Sequence, residues 1–205
     1  MDPLASYYEV GKVAVFAGDG RWGFSKLEEY SPGGGVHGMA VADFDHDGGL
    51  DIAVLYQRGV RYFARVLWSR GAGAEREVGS EFEGLGAVGG ISAGDFDGDG
   101  WFDLAVSHSF DPSGNPWSTV SFYCNDGGVL KIDEPYNLVA DYPGNPLWFS
   151  DGFAQILPRA NGDFDGDGID DLAVGATCFF PRATATWIPC NWERIMQVPE
   201  GLGCG

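Results

Sequence analysis

Positive charge is scarce in this chain: 12 Lys and Arg stand against 30 Asp and Glu, for a formal net charge of −18. Such a balance excludes nucleic acid as an expected partner, because that binding begins with clustered cationic side chains. It also disfavours an anionic membrane surface. No apolar run approaches the roughly 18 residues of a spanning helix, so membrane insertion is not expected. The first residues, Met1-Asp2-Pro3 onward to Glu9, lack the basic and apolar stretches of a secretory leader. A leader is therefore expected to have been removed, or the chain to be a piece of a longer protein. Cysteine is sparse too, at Cys124, Cys178, Cys190 and Cys204, with no C-x-x-C pair to suggest zinc or thioredoxin-like chemistry. One or two disulfides are expected, with buried free thiols as the alternative. There is no Asn-x-Ser/Thr acceptor and no amphipathic helix of ten or more residues.

What is present is apolar and turn-rich. Hydrophobic residues make up 44% and aromatics 14%, too much for an acidic disordered tail. The 33 Gly and 11 Pro require frequent turns and point to many short strands. Three segments then align without gaps, each reading D-F-D-x-D-G-x-x-D-[IL]-A-V. They begin at Asp43, Asp95 and Asp163.

The spacing dictates a chemistry. Carboxylates at positions 1, 3 and 5 converge when a glycine at position 6 allows a sharp turn. A hard cation that takes six to eight oxygens, calcium, fits that cage. The expected ligands of three Ca2+ sites are Asp43, Asp45, Asp47, Gly49 and Asp51; Asp95, Asp97, Asp99, Trp101 and Asp103; and Asp163, Asp165, Asp167, Ile169 and Asp171. Gly49, Trp101 and Ile169 would contribute backbone carbonyls. An EF-hand is excluded, since its twelfth position needs Glu and a following helix, whereas Val54, Val106 and Val174 stand there in β-branched runs. Magnesium, which demands octahedral geometry and keeps its waters, fits less well. Solvated acidic turns without metal are disfavoured by charge. Two carboxylates about 4 Å apart repel by roughly 4 kcal/mol at an effective dielectric of 20, and four would splay a hairpin.

Strand-like runs flank each loop: 38–42 and 52–56, 90–94 and 104–107, 153–157 and 172–176. Others follow at 61–69 and 77–82, 119–124 and 129–132, and 184–190 and 194–198. Ahead of the first loop lie two more, 12–17 and 24–30. Four short strands per repeat of fifty or so residues are the pattern of β-propeller blades. The fold expected is all-β, a propeller of four-stranded antiparallel blades, in a single domain. Residues 1–35 would form the second half of a blade, and 36–86, 87–150 and 151–205 three further blades.

The D-F-D-G-D-G-x-x-D-[LI]-A-V runs resemble FG-GAP (VCBS-type) repeats, as in the propeller of integrin α subunits. Val13-Ala-Val-Phe-Ala-Gly-Asp-Gly20 to Phe24 is similar to the hairpin closing such a blade. The resemblance implies a propeller with structural calcium in the hairpin joining a blade's first two strands. It also implies a role in adhesion or carbohydrate recognition outside the cell or at its surface, with a protein or glycan ligand. Members of the family also occur as domains beside secreted enzymes, so a domain of a secreted polysaccharide-acting enzyme is the alternative. The family propeller has seven blades, and this chain encodes about three and a half. It is then either part of a longer chain or half of a homodimer that closes one seven-bladed ring.

Other motifs are weaker. Gly18-x-Gly20-x-x-Gly23 matches a dinucleotide fingerprint by letter, but nothing helical follows, so a hairpin turn is expected. Ser107, His108 and Asp111 are neighbours in sequence, which does not make a triad. No catalytic residue is assigned. Two similar loops carry Trp117 and Trp148 beside Asn and Asp, a composition suited to stacking on sugar rings. These two are candidate ligand-binding residues, with core packing as the competing role.

Overall fold

The computed structural model describes residues 4–7, 11–71, 74–85, 88–108, 119–132, 153–179 and 192–196. Among them there is no helix, only strands and turns. A first sheet joins β1 (Leu4–Tyr7), β2 (Lys12–Gly18) and β3 (Phe24–Tyr30), in that order. A second joins β4 (Gly35–Ala42), β5 (Asp51–Arg58), β6 (Arg61–Trp68) and β7 (Glu77–Leu85). The third joins β8 (Val88–Gly94), β9 (Asp103–His108), β10 (Thr119–Asn125) and β11 (Leu130–Ile132). The fourth joins β12 (Phe153–Gly162), β13 (Asp171–Phe179) and β14 (Trp192–Met196). Every pairing is antiparallel and runs between consecutive strands. The leading strands β1, β4, β8 and β12 contact one another in succession, so the sheets follow one another as blades in an open arc of a β-propeller.

The repeated [IL]-A-V explains the packing. A second strand lies between two neighbouring sheets and is buried on both faces, which gives a continuous apolar run instead of alternation. Residues 51–56 of β5 are all buried. Ile52 and Val54 pack with Val13, Val15 and Val36 towards the first sheet. Ala53 and Leu55 pack with Leu104, Val106 and Tyr123 of the third. In β9, Leu104 and Val106 turn back towards the second sheet, while Ala105 joins Leu172 of β13 in the next cluster. The branched residues of the motif thus fill the space behind the blade, and its small alanine admits the phenylalanine from position 2 in front. Phe44 is 0% and Phe96 3% exposed in these spaces, whereas Phe164, in the β12–β13 loop, is 48% exposed.

Two strand assignments differ from expectation. The N-terminal sheet has a third strand, Leu4–Tyr7, which pairs with β2 through Leu4↔Val15 to Tyr7↔Lys12. Its four residues are too short a run to carry a readable pattern. In the last sheet β14 pairs directly with β13, Leu172↔Met196 to Ala176↔Trp192. It therefore takes the third place, where the run at 184–190 was expected; that run lies outside the described residues. Cys124 on β10 is disulfide-bonded.

Candidate metal centre

The three acidic loops connect β4 to β5, β8 to β9 and β12 to β13, the first two strands of the second, third and fourth sheets. The same local bonds build all three. The position-1 carboxylate accepts the N–H of the position-6 glycine: Gly48 to Asp43, Gly100 to Asp95 and Gly168 to Asp163, each at 3.0 Å. Position 3 accepts from position 5, Asp47 to Asp45 at 3.3 Å, with Asp99 to Asp97 and Asp167 to Asp165 at 3.1 Å. Position 5 accepts from position 7: Gly49 to Asp47 at 2.7 Å, with Trp101 to Asp99 and Ile169 to Asp167 at 2.8 Å. Wrapping the backbone this way puts position 6 at φ of 86°, 92° and 94°, left-handed values that glycine adopts without steric cost.

Each wrap gathers oxygens. Asp43, Asp45 and Asp51 bring one carboxylate oxygen each within 4.8 Å of one another, as do Asp95, Asp97 and Asp99, and Asp163, Asp165 and Asp171. Asp47, Asp103 and Asp167 stand outside those trios. The position-9 acids have a further duty. Asp51 is buried and accepts Phe44 N–H at 2.9 Å and Ser69 N–H at 2.6 Å. Asp103 is buried and accepts Phe96 N–H at 3.0 Å and Asn125 N–H at 2.8 Å. Asp171 accepts Phe164 N–H at 3.0 Å. Each of the first two carboxylates thereby ties its loop to the end of the blade's third strand.

These buried charges are costly. Burial pushes the Asp103 carboxyl up to about 7, against the lowering effect of the Asn125 N–H, and the nearby Asp97 charge adds to the rise. Asp51 is also raised by burial, although Ser69 and Phe44 donate to it, with Asp45 and Asp47 contributing repulsion. Loop 1 carries one more deficit. In loops 2 and 3 the second oxygen of position 1 accepts the position-4 N–H, Gly98 to Asp95 at 2.8 Å and Gly166 to Asp163 at 2.6 Å. In loop 1 position 4 is His46, at φ 55°, and Asp43 Oδ1 is buried without any hydrogen-bond partner. A cluster of all-oxygen donors with excess negative charge and an orphaned buried oxygen fits a hard divalent cation.

Adjacent loops also grip each other. The Asn125 side chain donates to Phe44 O in loop 1 at 2.7 Å and to Phe102 O in loop 2 at 3.0 Å. Asp170 N–H donates to Asp95 O at 2.8 Å, and Asp95 N–H donates to the Asp170 side chain at 3.1 Å. His46 lies flat on Trp101, with ring centroids 4.0 Å apart and planes 10° from parallel. Sequence reasoning missed Ser69 and Asn125, which close the position-9 bonds from outside the motif. The signal available for Asn125 was its place at a strand end ahead of Asp126-Gly127-Gly128, a turn.

The remaining candidates divide. Gly18 to Gly23 forms the β2–β3 hairpin turn, held by Arg21 and Gly23 N–H groups on the Asp19 carboxylate at 2.7 and 2.9 Å. Trp22 at its tip is 96% exposed. Ser107 is buried, while the His108 side chain and Asp111 lie outside the described residues. Trp117 and Trp148 lie outside them as well.

Residues 2–54 match the family model for the FG-GAP-like repeat. The matched segment, about a quarter of the chain, spans the first sheet, β4, loop 1 and the start of β5. Residues 2–54 are thus similar to an FG-GAP-like repeat, and loops 2 and 3 repeat the loop 1 motif with its bonds between positions 1 and 6, 3 and 5, and 5 and 7 beyond the matched segment. No curated protein matches the chain. Among the described residues no helix is long and apolar enough to cross a membrane.

Proposed function

We propose that this FG-GAP-type chain is a calcium-braced recognition module that works outside the cell or at its surface. The observation that carries the reading is the recurrence, on the first hairpin of three successive sheets, of three aspartate oxygens gathered around positions 1 and 3 of the motif. Calcium there is structural: it neutralises the loop and so holds together the strands that the position-9 aspartate ties to it. Free energy of binding becomes free energy of folding. The disulfide at Cys124 supports an oxidising compartment. Equilibrium dialysis of the metal-stripped protein against calcium tests the reading, with three ions per chain expected. Binding of no ion, or of magnesium in preference, overturns it.

Recognition would fall to the sequence segments around Trp117 and Trp148, where aromatic residues beside Asn and Asp suit a glycan. A glycan array with the wild type, W117A and W148A tests this. Retention that both substitutions abolish supports a sugar site, and binding unaffected by either removes these residues from it. The exposed Phe164 beside the last sheet fits a further blade packed there, and among the described residues the first sheet stops at β3, which fits a fourth strand, from the same longer chain or a second copy. Sedimentation in calcium separates the two: a dimer supports ring closure by a second copy, and a stable monomer excludes it.

A further inference from the structure

Loop 1 already holds a cation of its own. Arg70, two residues past the end of β6, donates from Nη1 to Asp45 Oδ2 at 2.8 Å, and the same nitrogen lies 3.7 Å from Asp47 Oδ2. Its Nε donates to Glu77 at 2.8 Å, so the guanidinium is shared between the loop and β7. The preceding residue, Ser69, gives its N–H to Asp51 of the same loop, which fixes where Arg70 enters. In loop 2 the residue bonded the same way is Asn125, and the one after it is Asp126, of opposite charge to Arg70.

We propose that Arg70 is a built-in competitor of the metal at loop 1 and sets the calcium affinity of that site. This rests on the calcium reading above. Asp45 and Asp47 are the carboxylates Arg70 faces, and both are expected calcium ligands, so the guanidinium and the ion draw on the same negative charge. An ion that takes these carboxylates also repels the guanidinium. Arg70 has room to retreat, since it borders a cleft of about 980 Å³ between β3 and β6 whose floor includes Val13, Val15, Ile52 and Leu67. Calcium at loop 1 therefore reshapes the mouth of that cleft by releasing Arg70 into it.

The size of the effect follows from Coulomb's law. One positive charge facing a dication at roughly 6 Å, in a dielectric close to that of water, weakens binding by about tenfold. Calorimetric titration of the metal-stripped protein with calcium reads it directly. D45N identifies the loop 1 step by removing it. R70Q is expected to tighten that step about tenfold and leave the others unchanged, and R70K, which keeps the charge, to stay near the wild type. An R70Q protein with unchanged or weaker loop 1 binding overturns the proposal. In the wild type, which needs no variant to fold, the Arg70 Nε–H resonance is expected to shift at the loop 1 step; an unmoved resonance overturns it as well. If the wild type takes up no calcium at all, the underlying calcium reading fails. Three normal sites indifferent to residue 70 sink only the role of Arg70.

Discussion

Two kinds of aspartate share each acidic loop. Asp99 at position 5 is exposed and bonds only its local turn, accepting from Trp101. Asp103 at position 9 is buried and holds two N–H groups, one from Phe96 in its own loop and one from Asn125 at the end of β10. Substitution separates the two. Asp99→Asn is expected to lower the melting temperature in calcium and to have little effect in chelator, where it relieves repulsion. Asp103→Ala leaves two N–H donors without their acceptor and is expected to cost about 3 kcal/mol even in chelator, as read by urea denaturation. A third acid acts away from the loops. Glu81 accepts from the Tyr56 hydroxyl and from Arg58, and pairs with Arg65, which together hold its carboxyl below the usual glutamate range. Because the folded value is depressed, its contribution is complete above the unfolded value of about 4.3 and fades as the pH falls through the folded one. The stability gap between wild type and E81Q should therefore narrow below about pH 4, and a gap constant from pH 6 to 3 would rule this out.

At the scale of elements, the phenylalanine at position 2 shows what a following blade contributes. Phe44 sits wholly buried under the third sheet, and its replacement by Ala is expected to cost about 3–5 kcal/mol. Phe164 occupies the same motif position with 48% exposure. Its replacement should cost under about 1 kcal/mol in the isolated chain, and equal losses at the two positions would contradict the packing described. Asn125→Ala removes the side-chain bridge between loops 1 and 2. Its expected cost is about 2 kcal/mol, with weaker calcium binding at both loops. Most strands could be read from the sequence because turns of Gly, Asp and Asn bound runs of β-branched residues, and β3 matches its expected bounds. The acidic loops were legible for a stronger reason: three copies of one spacing leave little room for another reading. Partners from outside the motif were not legible. Ser69, Arg70 and Asn125 reach the loops only because antiparallel pairing returns the third strand to them, and no local pattern announces that.

Across the whole molecule, charge and openness act together. A formal charge of −18 burdens a fold built from separate sheets, and three acidic clusters lie between the first two strands of the second, third and fourth sheets. Each calcium ion would remove repulsion where neighbouring blades meet, since Asn125 and Asp170 join adjacent loops directly. Differential scanning calorimetry of the full chain, in millimolar calcium against excess chelator, tests this most directly. At a hundred times its dissociation constant each ion adds about 2.7 kcal/mol, and each kcal/mol moves a domain of this size by about 2–4 °C. Three sites therefore predict a melting temperature higher in calcium by about 15 °C or more. Superimposable transitions in calcium and chelator would contradict the account.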